Sequence, residues 1–381
     1  MSAEDTAAAQ STSRRRRNLT RLSWAAGIAV IAIGGSTAYG VAAGVGVTHG
    51  NLNHSVTETR PGFHVGQKII GQPGVLPATA APGFTAWVAA AAGVVISVNT
   101  ATGTITGEFS VDSTQGIAVT PDGSQAFAAQ TGKFSVVAIN AATGATKTIE
   151  VGAYPQDVAV SPDGKTVYAT ITGPDDGPGG PNKVAVISTA TDTVTGSVTV
   201  GTSPRQVIFS PDGSRAYVTT EHSIDVIATA TGRVIRVIPD LSGGGPQDLA
   251  LSPDGSKLYV TNPVAKTLWV ISTASVPAGD EPYSVAVSPD GKTAYVTDLD
   301  SNSVLVLNTA TLRQVTTIPV GSNPAVVAVT PDGSQVWVGN ILQGNINIIS
   351  PATNTVVATV SAGSGTATID GVPIAITFVK A

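Results

Sequence analysis

The sequence predicts an all-β fold built from one four-stranded unit repeated around a ring. Three observations predict it. A four-residue turn phrase recurs six times at nearly even spacing. The runs between the phrases are short, alternating and rich in Val, Ile, Thr and Ala. The chain carries 42 glycines and 24 prolines but only 12% charged residues, a balance that suits many strands joined by tight turns.

The phrase first stands at Thr120-Pro121-Asp122-Gly123. It returns at Ser161, Ser210, Ser252, Ser288 and Thr330, at intervals of 41, 49, 42, 36 and 42 residues. A period near 40 with four short strands per unit is that of a β-propeller blade. Proline presets φ, aspartate bonds forward to the backbone and glycine accepts positive φ, so the turn aspartates read as structural. Before each phrase stands a short, nearly all-apolar strand such as Asp157-Val-Ala-Val160. After it comes an alternating strand, Thr166 to Thr170, and then a third, Val184 to Ile187. A second turn at Thr189 to Asp192 leads to an outer strand, Val194 to Val198.

Tyr259-Val260-Thr261-Asn262 has close variants at Tyr217 to Thr220, Tyr295 to Asp298 and Trp337 to Asn340. On these phrases the chain from residue 84 to 381 resembles the YVTN-repeat β-propellers, the YncE-like family. The resemblance implies a seven-bladed ring and says little about function. Only six turn phrases are present, so a seventh blade must be assembled from the ends. Thr85 to Ala90, Val94 to Val98 and Thr104 to Phe109 read as second, third and fourth strands without a first. Pro373 to Val379 reads as a first strand without followers, and its pairing with the N-terminal three closes the ring. One blade is short. After Leu268 to Ile271 roughly six residues are missing, the bulk of a strand of ordinary length. That blade is expected to lack an outer strand or to keep only a stub at Ser275 and Val276, with its third strand as a sheet edge.

Four regions follow from the sequence: a basic stretch over 1–21, an apolar helix over 22–48, a spacer over 49–77 and the propeller over 78–381. Arg14 to Arg17 and Arg21 precede a run from Leu22 to Thr48 without a charge. Basic residues resist crossing a membrane, so the N-terminus is expected to stay in the cytoplasm and the propeller to be exported. Val41 to Ala43 or Ala38 to Gly40 would suit cleavage, giving a secreted protein. Uncut, the same stretch supplies the roughly 20 apolar residues of an anchor. Arg16-Arg17-Asn18-Leu19 also resembles a twin-arginine signal, beside the reading as an ordinary basic region. His49, His54 and His64 show no spacing that would set three ligands on one face.

Composition excludes several chemistries. Six of the 20 bases, Arg14 to Arg17, Arg21 and Arg60, precede the propeller of a chain whose net charge is already −5. The acidic remainder argues against a grip on nucleic acid phosphates. The absence of cysteine excludes disulfides, thiolate metal sites and cysteine nucleophiles.

Candidate sites fall on the face opposite the Pro-Asp-Gly turns. The turn face receives Lys165, Arg215, Lys257 and Lys292; the loop face receives an excess of acids, among them Glu221, Asp280, Glu281, Asp298 and Asp300. Asp175 and Asp176 lie in the longest insertion, where they suit either a hard cation or plain solvated loop. The first strands open with Gln115, with Gln156 and Asp157, with Arg205 and Gln206, with Gln247 and Asp248, and with Tyr283 and Ser284. On the two remaining blades the openings are apolar, Ala325-Val326 and Ile374-Ala375. A channel mouth polar on one arc and apolar on the other suits an amphipathic ligand; equally, the polar groups can bond to neighbouring loops. His222 beside Glu221 is the sole histidine outside the spacer, too little for a metal triad.

The sequence therefore favours a non-enzymatic binding or scaffold propeller of the cell envelope over a lactonase-like hydrolase. Its expected partner is a protein, peptide or small molecule at the acidic loop face, with the membrane as a further partner if the N-terminal segment is kept. No cofactor is expected. If export depends on the arginines, neutral replacement of Arg14 to Arg17 leaves the propeller in the cytoplasmic fraction; unchanged export on fractionation refutes the signal.

Overall fold

Strand side chains alternate between the two faces of a sheet, and here each face meets a different neighbour. Val167 packs with blade 2 residues such as Phe127, whereas the next residue, Tyr168, packs with Val207 and Val218 of blade 4. The computed structural model describes residues 83–90, 93–173, 182–239, 245–271, 274–361 and 373–380. All belong to one compact unit, Lys68–Ala381. The described strands form seven four-stranded antiparallel sheets, each a simple meander.

Blade 1 consists of Phe84–Ala90, Val94–Asn99 and Thr104–Ser110, with Pro373–Lys380 as its inner strand. The inner strands of blades 2 to 7 are Thr114–Val119, Tyr154–Val160, Val207–Phe209, Leu249–Leu251, Pro282–Val287 and Pro324–Val329. These seven inner strands touch one another in sequence around a complete circle. Pro373–Lys380 pairs antiparallel with Phe84–Ala90, with Thr85 opposite Val379 and Ala89 opposite Ala375. Seven apolar layers fill the seven gaps between blades, one per gap, so burial works between sheets. The apolar helix expected over 22–48 and the spacer lie outside the described residues. Among those described, no helix is long and apolar enough to cross a membrane.

The Pro-Asp-Gly turns have the structural role expected of them. Asp163 Oδ1 accepts the Ser161 hydroxyl at 2.6 Å and the Lys165 N–H at 3.1 Å, and Gly164 has φ of 74°. In two equivalent turns the Ser210 and Ser252 hydroxyls, followed by backbone N–H groups, hold Asp212 and Asp254 down at about 2. Each turn also locks to the next: a Cβ at Gly255 would stand 3.2 Å from Cδ of Pro211, one blade back.

The short blade keeps the stub expected at Ser275 and Val276, which corrects only the expectation that its third strand is a sheet edge. Its outer strand exists, Ala274–Pro277, and pairs with Thr267 to Val270 of the third strand. The deficit shortens the outer strand to four residues, against five to seven elsewhere, without removing it. The third strand is therefore not a sheet edge, and nothing is left there for a partner strand to occupy.

The pairing of the C-terminal strand makes a specific demand on stability. Deleting residues 373 to 381 exposes Phe84–Ala90 and opens the ring, and it should abolish cooperative melting or lower its midpoint by well over 10 °C. A truncated protein that melts like the parent in calorimetry would rule out the C-terminal strand as the ring's clasp.

Candidate functional site

The site is built by one bond repeated from blade to blade at the loop-face end of the inner strands. Asp157 Oδ2 accepts the N–H of Val207 in blade 4 at 3.1 Å. Gln206 Oε1 accepts the N–H of Leu249 in blade 5. Asp248 Oδ2 accepts the N–H of Val285 in blade 6 at 2.8 Å, and Ser284 Oγ that of Val327 in blade 7 at 3.3 Å. These four side chains occupy one register position, so each blade carries the next on a single polar group. The equivalent positions elsewhere, Gly116, Val326 and Ala375, have no such group. At Gly116 a Cβ would collide with the Asp157 carboxylate, so glycine is what admits that carboxylate.

The threonine of the Tyr-Val-Thr phrase completes the latch. The Thr170 hydroxyl accepts Asp157 N–H at 3.0 Å and donates to the Arg205 carbonyl of blade 4 at 2.5 Å. Thr261 accepts Asp248 N–H at 3.1 Å and donates to the Tyr283 carbonyl at 2.7 Å. Thr219 and Thr297 accept the N–H groups of Gln206 and Ser284. Thr170, Thr219, Thr261 and Thr297 sit on blades 3 to 6, the same four that carry a polar latch. The residue after the threonine shapes the loop face instead. Asp298 accepts the N–H groups of Asp280 and Glu281, each at 3.0 Å, and Asn262 accepts that of Ala265 at 2.9 Å.

Of the residues singled out in the sequence, the structure brings Asp157, Arg205, Gln206, Gln247, Asp248 and Tyr283 to one arc of the mouth. Arg205 donates to Gln247 Oε1 at 2.9 Å, and its guanidinium is electrostatically coupled to Tyr283 and Glu221. Burial holds the Tyr283 hydroxyl above its usual range and therefore protonated, against the opposing pull of Arg205. Burial pushes the Asp157 carboxyl up to about 7, and the charge of Asp248 adds to the effect. Burial likewise lifts Asp248 to about 6, although hydrogen bonds from Ser284, Val285, Leu249 and Gln206 oppose it. Both carboxyls keep some surface open to the lumen while protein crowds them on every side. Gln156 stands apart, its amide directed to its own strand at the Tyr154 carbonyl, 3.5 Å away. Gln115 lies on the inner strand of blade 2 and is partly buried. Asp175 and Asp176 lie outside the described residues.

The acidic loop face is partly neutralised. Lys133 pairs with Asp112, and Lys266 with Asp280 at 3.0 Å. Burial and the neighbouring Asp300 carboxylate push the Glu281 carboxyl up. His222 is exposed and 4.0 Å from Glu221, as a surface histidine would be. Among the described residues, no three His, Asp or Glu side chains are grouped to hold a metal ion. Two mouth residues went unnoticed in the sequence, Phe134 and Tyr154. Their rings meet edge to face at 4.8 Å, and both remain more than a third exposed. An aromatic residue in a loop directly before a strand is the signal that marks them.

Comparison with known proteins bears on this geometry. Residues 180–362, just under half of the chain, match the family model described as Lactonase, 7-bladed beta-propeller. No curated protein matches the chain significantly. Among solved structures, Kuenenia stuttgartiensis hydrazine synthase shares 27% identity over 68% of this chain and 90% of that one, with a TM-score of 0.62. The periplasmic gluconolactonase of Pseudomonas aeruginosa shares 18% over 78% and 99%, with a TM-score of 0.61. A Bacteroides fragilis protein provisionally named a 6-phosphogluconolactonase shares 18% over 80% and 99%, with a TM-score of 0.62. At 18% identity these last two show the seven-bladed fold alone. The lactonase match spans Arg205, Gln206, Gln247, Asp248 and Tyr283, and it favours the hydrolase alternative over the binding or scaffold reading.

The two raised carboxyls fix a pH dependence. A folded pKa above the unfolded 3.8 contributes stability that is complete below about 4 and is lost as pH rises through 6 and 7. The turn aspartates act oppositely, and their contribution disappears only as pH falls from about 4 toward 2. The melting temperature should thus fall between pH 5 and pH 8. In an Asp157→Asn, Asp248→Asn double variant the amide oxygens still accept Val207 and Val285 N–H, and the decline should flatten. At pH 8 the variant should melt about 2 to 4 °C higher, the shift that roughly 1 kcal/mol causes in a large domain. An unchanged slope would show that these carboxyls are not the titrating groups.

Proposed function

We propose that the chain is a lactonase-like hydrolase that opens a cyclic ester at the blade 3 to 6 arc of the channel mouth. The observation that carries this reading is a buried carboxyl raised to about 7, Asp157, on the same arc of inner strands as Arg205, whose guanidinium is held by Gln247 of blade 5. A general base works best when its pKa lies near the operating pH. The lactonase family match over residues 180–362 supports the same reaction class, as do the gluconolactonase and 6-phosphogluconolactonase names of structural neighbours.

Asp157 is better suited than Asp248 to be the base. Asp248 spends Oδ1 on Leu249 N–H and Oδ2 on Val285 N–H, so it is wholly engaged in the latch. Asp157 takes Val207 N–H on Oδ2 and the N–H of Val158, without the side-chain partners that Ser284 and Gln206 add at Asp248, and its Oδ1 packs against Gly116. In the proposed reaction water attacks the lactone carbonyl and passes a proton to Asp157. The Arg205 guanidinium, oriented by Gln247, stabilises the oxyanion. As the ring C–O bond breaks, the protonated Tyr283 hydroxyl supplies a proton to the departing alkoxide and regains one from solvent, while Asp157 returns its proton to solvent.

Non-enzymatic binding at the same arc is the second reading. It is favoured by the latch itself, which ties polar side chains to backbone. We further propose that the propeller acts outside the cytoplasm, supported by Arg14 to Arg17 and the uncharged run that follows. Membership of the YVTN-repeat family is likewise proposed, on the Tyr259 to Asn262 phrase and its variants.

The test is hydrolysis of a lactone panel by the full chain, followed by titration of released acid. The wild-type kcat/KM should rise with pH through a midpoint near 7. Asp157→Asn should lower it by about 100- to 10,000-fold, the usual contribution of a general base, while the circular dichroism spectrum stays unchanged. Full activity in Asp157→Asn would dismiss Asp157 as the base. Failure to hydrolyse any lactone would dismiss the enzyme in favour of the binder.

A further inference from the structure

The mouth of this channel is asymmetric, and the asymmetry is informative about what enters it. Blades 3 to 6 present the latch, Arg205, Gln247 and Tyr283. Blades 7, 1 and 2 present Val326, Ile374, Ala375 and Gly116 at the equivalent positions. Val326, Ile374 and Ala375 lie on inner strands yet are only partly buried, although Ile374 and Ala375 also pack against the apolar layer between blades 1 and 2. Blade 2 also carries the partly buried Gln115 beside Gly116, so the apolar arc proper is that of blades 7 and 1. At its border with the polar arc stand Phe134 and Tyr154, exposed and in edge-to-face contact. Thr131 Oγ1 donates to the Pro155 carbonyl at 2.5 Å, tying the Phe134 loop to the Tyr154 strand. Phe134 has φ of 56°, a backbone conformation costly for a bulky side chain and one that surrounding structure must enforce.

Charge narrows the choice further. With Lys133 and Lys266 paired to Asp112 and Asp280, the loop face still carries Glu221, Glu281, Asp298 and Asp300 against Lys183 and Arg205. Arg205 is the cation on the polar arc, and it is already coupled to Glu221. Among the described residues, a phosphorylated or carboxylated substrate would approach a negative field and find no cluster of cations beside Arg205 to receive its anion. A neutral molecule meets no such barrier, and an apolar substituent gains from leaving water against the unpolarised arc.

On these grounds, and resting on the hydrolase reading, we propose that the substrate is an uncharged lactone bearing an apolar substituent. Its ester ring lies on the blade 3 to 6 arc. Its substituent lies over Val326, Ile374 and Ala375 and is flanked by the Phe134 and Tyr154 rings. This separates the chain from the phosphosugar chemistry named for one of its structural neighbours.

The experiment compares kcat/KM of the full chain for γ-butyrolactone, γ-hexalactone, γ-octalactone and γ-decalactone with glucono-δ-lactone and 6-phosphoglucono-δ-lactone. Each added methylene should raise kcat/KM about fourfold, the ratio equivalent to the roughly 0.8 kcal/mol of burying one such group, until the arc is filled. The 6-phosphoglucono-δ-lactone should be turned over at least 100-fold less efficiently than γ-octalactone. In Tyr154→Ala and in Ile374→Asn, KM for γ-octalactone should rise about tenfold, with kcat for it and kcat/KM for γ-butyrolactone close to wild type. That split separates loss of a contact from loss of the fold. A flat chain-length series, or preference for either sugar lactone, overturns this inference and leaves the hydrolase reading standing. No turnover of any of the six lactones removes the hydrolase reading and this inference with it.

Discussion

The structure depends on one hydrogen bond made between blades at the innermost strand. In blades 3 to 6 a side chain from one blade takes the backbone N–H of the next, and a threonine hydroxyl accepts one backbone N–H. On blades 3 and 5 the same hydroxyl also reaches the carbonyl of the following blade. An inner strand has no sheet partner on its channel side, so these backbone groups would otherwise face a cramped lumen unpaired. Leaving them so would cost more than an ordinary hydrogen bond returns. The latch removes that cost and holds the angle between successive sheets. The apolar layers between blades supply the bulk of the burial, but they slide more readily than a polar contact does.

The same bond couples stability to chemistry. Asp157 can act as a latch with either protonation state, because each form keeps an oxygen for Val207 N–H. Its burial, imposed by the ring, raises the carboxyl to about 7. A group placed for architecture is thereby left at the pKa that general base chemistry requires. Asp248, with more donors turned onto it, is held lower at about 6. Two carboxyls in the same register position are driven apart by the number of N–H and O–H groups that surround each.

Much of this was legible in the residues. The six Pro-Asp-Gly phrases, the orphan strands at both ends and the polar openings of the inner strands could all be read directly, since they depend on local turn chemistry and period-two alternation. The Tyr-Val-Thr phrase was legible as a family mark but not as a device, because the partners of Thr170 and Thr261 lie 35 and 22 residues away on another sheet. The short blade was legible as one with at most a stub of an outer strand, but its third strand was misjudged as an edge. The missing length was visible, but whether four residues still make a ladder with Thr267 to Val270 depends on register. The Phe134 and Tyr154 pair was missed, because neither residue carries any periodic signal and their contact joins a loop of one blade to a strand of the next.

By itself the sequence determined the number of blades, the chemistry of their turns and which inner-strand positions are polar, since each of these is set by residues within a few places of one another. Tertiary structure alone decided which polar groups are spent on the latch, which carboxyl gathers more hydrogen-bond partners and how far burial lifts each. Desolvation and hydrogen-bond partners come from residues a full blade away, and no local pattern encodes their distance.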